Sequence, residues 1–546
     1  MSGLFSVRAW LWPVLICALS TSVHANIITV TNRHDSGTGS LRQALVDAND
    51  GDTIEFAVTG TIGLTSGELL VDKSLTISGP GANNLAIDGN AKSRVFHIGP
   101  GKTVTISGLT IMNGNATSGA NGGGVLNDHA SVMLNSCTLS GNSAGNVGGA
   151  ISNNGQQSGS ALLLINNSSF SGNSASYNGG AIFNGGEMGG SASLGLNNSN
   201  LSGNSASVNG GAIFNDGSSS GSANLQVALT TVSDNSANAN GGGIASDGSA
   251  AGNATLQIVN STVNGNSATS GGGVYNGAQQ SGSSILEVIN SAVSGNNSDA
   301  GAGIYNFGEG AALTVDSSTI SGNSAGSYGG GIYSDSFIVN VQNSTVSDNS
   351  AGESVGDSGG GIINYDAALT ITNSTLSNNS AYLAGGIHNS AAPLVVANTV
   401  FEAGALGANI VNTGTGKSRG YNLSNDDGDG YLIGPGDQIN TDPVLGPLQD
   451  NGGTTLTHAL LPGSPAINTG DPKFTPPPGQ DQRGYPRVVN GRIDIGSFEV
   501  QEGPTPTATP TPTATPTPTA SPTATLTPTP RPTPIRRVRP TPAPRP

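Results

Sequence analysis

The chain has 546 residues, 84 of them glycine, with 10% charged side chains and a formal net charge of −16. No lysine or arginine occurs between Lys102 and Lys417, and a nucleic-acid groove needs a basic stripe to neutralise phosphates, so that long middle section is not one. The two cysteines are Cys17 and Cys137; if cleavage follows Ala25, one remains, and no internal disulfide holds the mature fold.

Residues 1–25 read as a secretory signal peptide, with Arg8, an apolar run over 9–19 and small residues near Ala25. The run is too short for a membrane span. Residues 26–112 form an N-terminal cap and first coils. In them, Leu41, Ala44, Leu45 and Ala48 have helical spacing behind Ser40, a capping residue. We expect this short helix to cover the open end of a solenoid, whose apolar bore would otherwise meet water. The stretches 75–79 and 104–111 alternate with period two, as strands do.

Residues 113–416 repeat one phrase every roughly 25 to 31 residues: a Gly-Gly-(Gly/Ala)-(Ile/Val) tetrad and an Asn-Ser-Ala turn. Tetrads begin at Gly122, Gly148, Gly179, Gly210, Gly241, Gly271, Gly301, Gly329 and Gly359, with a degenerate copy at Ala384. A unit this short cannot bury an apolar face alone, so copies must stack. Its apolar residues fall in short alternating runs separated by Asn, Gly and Ser, so each repeat is a set of short strands and the stack is a parallel β-helix. The recurring asparagines, Asn142, Asn173, Asn204 and their successors, can hydrogen-bond along the axis as an amide ladder, because an amide both donates and accepts. A second column, Asn127, Asn153, Asn184 and Asn215 onward, follows the tetrads and serves the next bend.

Gly-Gly-Ala-Ile at 148, 179 and 210, with Phe170-Ser-Gly-Asn173 and its Leu and Val variants, resembles the repeats of polymorphic outer-membrane proteins. The resemblance implies an all-β, right-handed parallel β-helix displayed at a cell surface and associated with adhesion. The lead-in is similar to secreted pectate-lyase-like β-helix proteins. Residues 417–502 carry Asp442-Pro443, Asp450-Asn451-Gly452-Gly453, Asp481-Gln482-Arg483-Gly484 and Asp494-Ile495-Gly496. In that order they resemble a choice-of-anchor module, and we expect the segment to close the C-terminal end of the solenoid. Residues 503–546 form a Pro/Thr-rich tail, extended or disordered, whose arginines could rest on an anionic envelope polymer.

One repeat position gathers aromatic residues although aromatics are 4% of the chain: Phe183, Phe214, Tyr275, Tyr305 and Tyr333 follow the buried tetrad Ile or Val. The rings either meet a sugar face or protein partner from an exposed sheet, or stack on each other and shield it. Asp216 and Asp247 hold equivalent positions in neighbouring coils, where paired carboxylates could serve a glycosidase or hold calcium; each also precedes glycine, which is plain turn chemistry. Asp426, Asp427 and Asp429 form a second calcium-like run that lacks the distal glutamate of an EF-hand and equally makes a solvated turn. No other cofactor is expected. Two functions follow. One is a secreted or cell-surface, adhesin-like module that contacts glycans or neighbouring cell-surface proteins without catalysis. The alternative is a polysaccharide-degrading glycoside hydrolase using its acidic residues.

Overall fold

The computed structural model describes residues 25–117 and 119–501. The expected signal peptide, apart from Ala25, and the Pro/Thr-rich tail lie outside them. The described residues form a parallel β-solenoid. Each full coil runs through a tetrad strand such as Ile182–Gly185, a long strand such as Ser191–Asn197, a three-residue strand such as Asn200–Ser202 and a two-residue strand such as Ser205–Ala206. The tetrad and long strands stack into a 26-stranded sheet, and the three-residue strands into a 14-stranded sheet from Gly60–Gly63 to Leu423–Ser424.

Register is set by the bore. Ile151, Ile182, Ile213, Ile244 and Val274 pair in sequence across neighbouring coils and are all fully buried. A one-residue slip would turn this whole column to solvent. The tetrad glycines have two separate reasons. The first, as in Gly179, has a φ of +66°, which only glycine adopts freely. The second, as in Gly180, lies so close to the next coil that a Cβ would drive into the carbonyl oxygen of Gly211.

Both asparagine columns are ladders inside the wall. From Asn142 through Asn173, Asn204, Asn235, Asn266, Asn296, Asn323 and Asn349 to Asn379, each Nδ2 donates to the Oδ1 of the next coil at 2.9–3.0 Å. Asn153, Asn184 and Asn215 continue a second ladder at 2.7 Å per step. All of these amides are buried, so the bonds form in low dielectric where a missing partner is costly.

The helix Leu41–Asp47 forms as expected, with the Ser40 hydroxyl accepting from the Gln43 amide at 3.2 Å and Leu41, Ala44 and Leu45 buried on the first coils. At the other end residues 417–501 divide into two parts. The turn after Ser424 covers the bore, with Leu432 in the core and the Tyr431 hydroxyl donating to the Leu394 carbonyl at 2.5 Å. Residues 442–501 instead lie along the flank of the 14-stranded sheet. Gln482 reaches Thr319 and Thr345, Ser497 reaches Thr375, and His458 sits 2.8 Å from the Ser347 hydroxyl. The reason is the outward column of that sheet, where Thr319, Thr345 and Thr375 bond the segment and Val400 and Leu423 pack with its Leu460, Ala466, Ile495 and Phe498. Among the described residues no helix is long and apolar enough to cross a membrane.

Candidate functional site

The aromatic column is built as the repeat dictates, since Phe183 pairs with Phe214, and Tyr275 with Tyr305 and then Tyr333, in strict register. Its exposure is not uniform. Phe183 and Phe214 are only 2% and 4% exposed and pack with Val147 and Ala245, so the expectation of an exposed sheet does not hold for them. The rings of Phe183 and Phe214 are covered by each other and by Val147 and Ala245, and that of Phe183 also lies over Gly185, where a Cβ would meet it. The tyrosines are half-buried. Tyr305 and Tyr333 stack at 4.3 Å with 3° between planes, and Tyr275 and Tyr305 at 5.7 Å and 11°.

Asp216 and Asp247 are register partners. Each caps its own turn, accepting from the Ser218 and Ser249 amides at 3.1 and 2.9 Å. A third carboxylate, Glu187, joins from the preceding coil and is held by the side-chain amide of Gln156. Burial, with like charge from Asp216, pushes the Glu187 carboxyl up, and burial with Asp247 nearby pushes Asp216 up. Raised carboxyls hold protons in the folded chain that the unfolded chain releases above about pH 4. Stability from Glu187 and Asp216 is therefore present in acid and lost as pH rises toward neutrality. The Glu187→Gln/Asp216→Asn variant should unfold at a higher temperature than the parent at pH 8, by about 1 kcal/mol in equivalent stability after allowance for solvent screening, and at the same temperature at pH 4. Thermal unfolding at the two pH values tests this.

The Asp426 carboxylate accepts from the Asn409 amide at 2.8 Å, the Ser424 hydroxyl at 2.7 Å and the Gly428 amide at 2.9 Å. Asp427 and Asp429 are exposed and accept from the amides of Asp429 and Asn412. These oxygens tie the last turn to the coil before it. Among the described residues no group of three or more His, Cys, Asp and Glu is gathered for a metal ion.

Two features were not read from the sequence. The first is a charged cluster on the early coils. Arg94 pairs with Glu68 at 2.5 Å, Glu68 with His97 at 3.2 Å, His97 lies 3.9 Å from Asp128, and Asp128 pairs with His129 at 2.6 Å. Its members come from three consecutive coils, Glu68 from one, Arg94 and His97 from the next and Asp128 and His129 from the third, and the coil phase brings them together. The second is a trough on the outer face of the long strands. One hollow of about 860 Å³ runs past Thr103, Ser131, Leu162 and Ser193, and another of about 500 Å³ shares Leu162 and Ser193 and continues past Asn224, Gln226, Thr255 and Ile285. These residues are coil-to-coil partners. From Thr103 to Ile285 is six steps of about 4.8 Å, roughly 29 Å of continuous face. Gly195 opens a notch between Leu164 and Gln226, while Gln226 donates to Gln257 at 3.0 Å and Gln257 to Glu287 at 2.8 Å. The signal was present in the sequence as alternating Ser, Thr, Asn and Gln, but it is indistinguishable there from ordinary solvated strand positions.

Residues 167–185 and 317–335 each span a short strand, a ladder asparagine and a tetrad, and both match one family model. It is the Chlamydia polymorphic membrane protein repeat. The coils around these two stretches share that phrase in register with them. Solved structures with similar architecture include a pectate lyase (11% identity, 87% of this chain and 96% of that chain, TM-score 0.29). They also include a mannuronic-acid-specific family 6 polysaccharide lyase from human gut microbiota (10%, 71% and 83%, 0.32) and an Azotobacter vinelandii mannuronan C-5 epimerase A-module (11%, 70% and 92%, 0.33). No chemistry is carried over from them. No curated protein matches the chain.

Proposed function

We propose that this protein is a surface-displayed, adhesin-like β-helix that contacts extended glycans through its outer sheet face and does no chemistry on them. The observation that carries the reading is the trough: two adjoining hollows with largely apolar walls, where Leu162 and Ile285 are 38% and 44% exposed beside Leu164, crossed by the hydroxyls and amides of Ser193, Asn224, Gln226, Thr255 and Gln257. Sugar chains are bound by this mixture of hydrogen-bonding groups and apolar patches in a preformed concavity. The half-buried tyrosine stack on the neighbouring strands offers a second, flatter contact. The repeat shared with polymorphic membrane proteins supports a place at the outer envelope, and the flank segment, by its motifs, is read as a choice-of-anchor-like module. Ser193→Trp and Asn224→Trp each fill the trough without touching the core. Each should reduce binding to a glycan array at least tenfold, while Tyr305→Ala reduces it less. Unchanged binding in both tryptophan variants overturns the assignment.

One observation favours a second reading. Burial holds the Glu187 and Asp216 carboxyls raised beside a third acidic side chain, and a glycoside hydrolase uses a raised carboxyl as its acid with a second acidic group nearby. On the non-catalytic reading no reducing ends are released from a polysaccharide panel. Release that Asp216→Asn or Asp247→Asn abolishes would establish the hydrolase.

A further inference from the structure

The hollow between Leu162 and Ile285 has one ionisable side chain on its walls, Glu287. No lysine or arginine occurs between Lys102 and Lys417, so the coils that build it hold no cation of their own. Lys102 lines only the adjoining hollow. From Thr103 to Asn224 is four coil steps, roughly 19 Å. That is more than twice the Debye length of about 8 Å at physiological salt, so the Lys102 charge is screened there. Glu287 does more than add a charge. Its Oε2 accepts from Gln257 Nε2 at 2.8 Å, and Gln257 Oε1 accepts from Gln226 Nε2 at 3.0 Å. A carboxylate can only accept, so it sets the sense of the row, with each amide turning its nitrogen toward Glu287 and its oxygen away. Gln226 Oε1 is thereby left on the side of Gly195, its partner in the preceding coil, with no protein donor among the described residues. On the same strand and the same face, Asn224 Oδ1 accepts from the Thr255 hydroxyl at 2.7 Å, which leaves Asn224 Nδ2 as a donor.

We infer that the trough selects uncharged polysaccharide over polyuronate, and that Glu287 sets this choice by orienting Gln257 and Gln226. This rests on the glycan-contact reading above and names its substrate class. A sugar hydroxyl both donates and accepts, so neighbouring hydroxyls satisfy Asn224 Nδ2 and Gln226 Oε1 together. A carboxylate offers Gln226 Oε1 no hydrogen and meets Glu287 as a like charge. It also loses water against Leu162, Leu164 and Ile285 with no cation in return, and an unpaired charge is costly to desolvate. The charge on this wall therefore acts by excluding the wrong ligand, which is one of the two ways a site gains specificity.

The test titrates the full chain by calorimetry with xylohexaose, cellohexaose and mannohexaose, and with hexagalacturonate and hexamannuronate. At least one neutral hexaose should bind about tenfold more tightly than either acidic one, a difference of about 1.4 kcal/mol. Glu287→Gln still accepts from Gln257 and should keep the neutral affinity. Glu287→Lys can only donate, so it reverses the amide row and removes the negative charge. It should weaken the neutral hexaose and strengthen the acidic ones, cutting the preference about tenfold. Both variants should unfold at the parent's temperature, since the side chain lies outside the bore. An acidic hexaose that binds as tightly as every neutral one, with Asn224→Trp blocking it, overturns this inference and leaves the glycan-contact reading standing. A preference for neutral chains that Glu287→Lys leaves unchanged also overturns it, because the selection then does not run through Glu287. Failure of every hexaose to bind overturns both readings.

Discussion

Asn204→Ala is expected to cost about 3–5 kcal/mol of solenoid stability, far more than the loss of one polar side chain on a surface. Asn204 Oδ1 accepts from both the amide and the side-chain Nδ2 of Asn173, at 3.1 and 2.9 Å, and its own Nδ2 donates to the Phe170 carbonyl at 3.2 Å and to Asn235 Oδ1 at 2.9 Å. Alanine removes all four bonds. It also strands the Asn173 donors in a buried wall where no water replaces the partner, and an orphaned buried donor costs more than the bond itself contributed. The control is Asn198→Ala. That amide also donates across coils, to Asn167 at 2.7 Å, but both side chains are exposed, and the change should stay within about 0.5 kcal/mol. Because each coil contacts only its neighbours, the damage should be local. Hydrogen exchange should show the coils around 173–235 opening first, and equal protection in the two variants would refute a buried ladder.

The same ladder shows why so much of this fold was legible in the sequence. Stacking multiplies one local pattern, so the tetrads, the Asn-Ser-Ala turn and the alternating Ile and Val each state the register many times over. Ser40 and the apolar spacing after it fixed the helix by purely local rules. What the pattern could not state is what covers a given face. Phe183 and Tyr305 occupy the same repeat position, yet one is shut in among Val147, Phe214 and Ala245 and the other is half open. Period two predicts that both leave the core and says nothing of the loops beside them. The His97, Asp128 and His129 cluster and the trough were hidden for a related reason: their members come from consecutive coils, and their chemistry exists only once the coil phase is known. The flank packing of residues 442–501 depends on contacts more than 100 residues apart, such as Ser347 with His458 and Thr345 with Gln482, which no local rule reaches.

Arg487→Met should loosen that flank segment while leaving the solenoid intact, with a cost of about 3–5 kcal/mol. The motifs around 481 and 494 fold into a buried knot of charge. Asp481 pairs with Arg483 at 2.6 Å, and the Arg483 guanidinium lies 3.5 Å over the Phe498 ring and 4.8 Å from that of Tyr485. Arg487 is fully buried, donates to the Gly496 carbonyl, and is the cation facing Asp481, Asp494 and Glu499 together. Removing it takes away the attraction it exerts on three buried acidic side chains and its bond to the Gly496 carbonyl, and leaves Arg483 as the one arginine among them. Glu499 already shows the strain on that balance. Burial pushes its carboxyl up to about 8, although the Asp494 amide donates to it. A carboxyl raised in the folded state favours folding at low pH, and that contribution is lost as pH rises through about 8. Amide protection factors across 442–501 should therefore fall between pH 7 and pH 9 in the parent. Measured as protection relative to the intrinsic base-catalysed rate, that fall should disappear in Glu499→Gln, and protection should be low at both pH values in Arg487→Met, with the ladder amides of the upstream coils protected throughout. Protection of the flank segment in Arg487→Met equal to the parent's would show that Gln482, His458 and Ser497 alone hold it to the sheet, and that the buried charges do not.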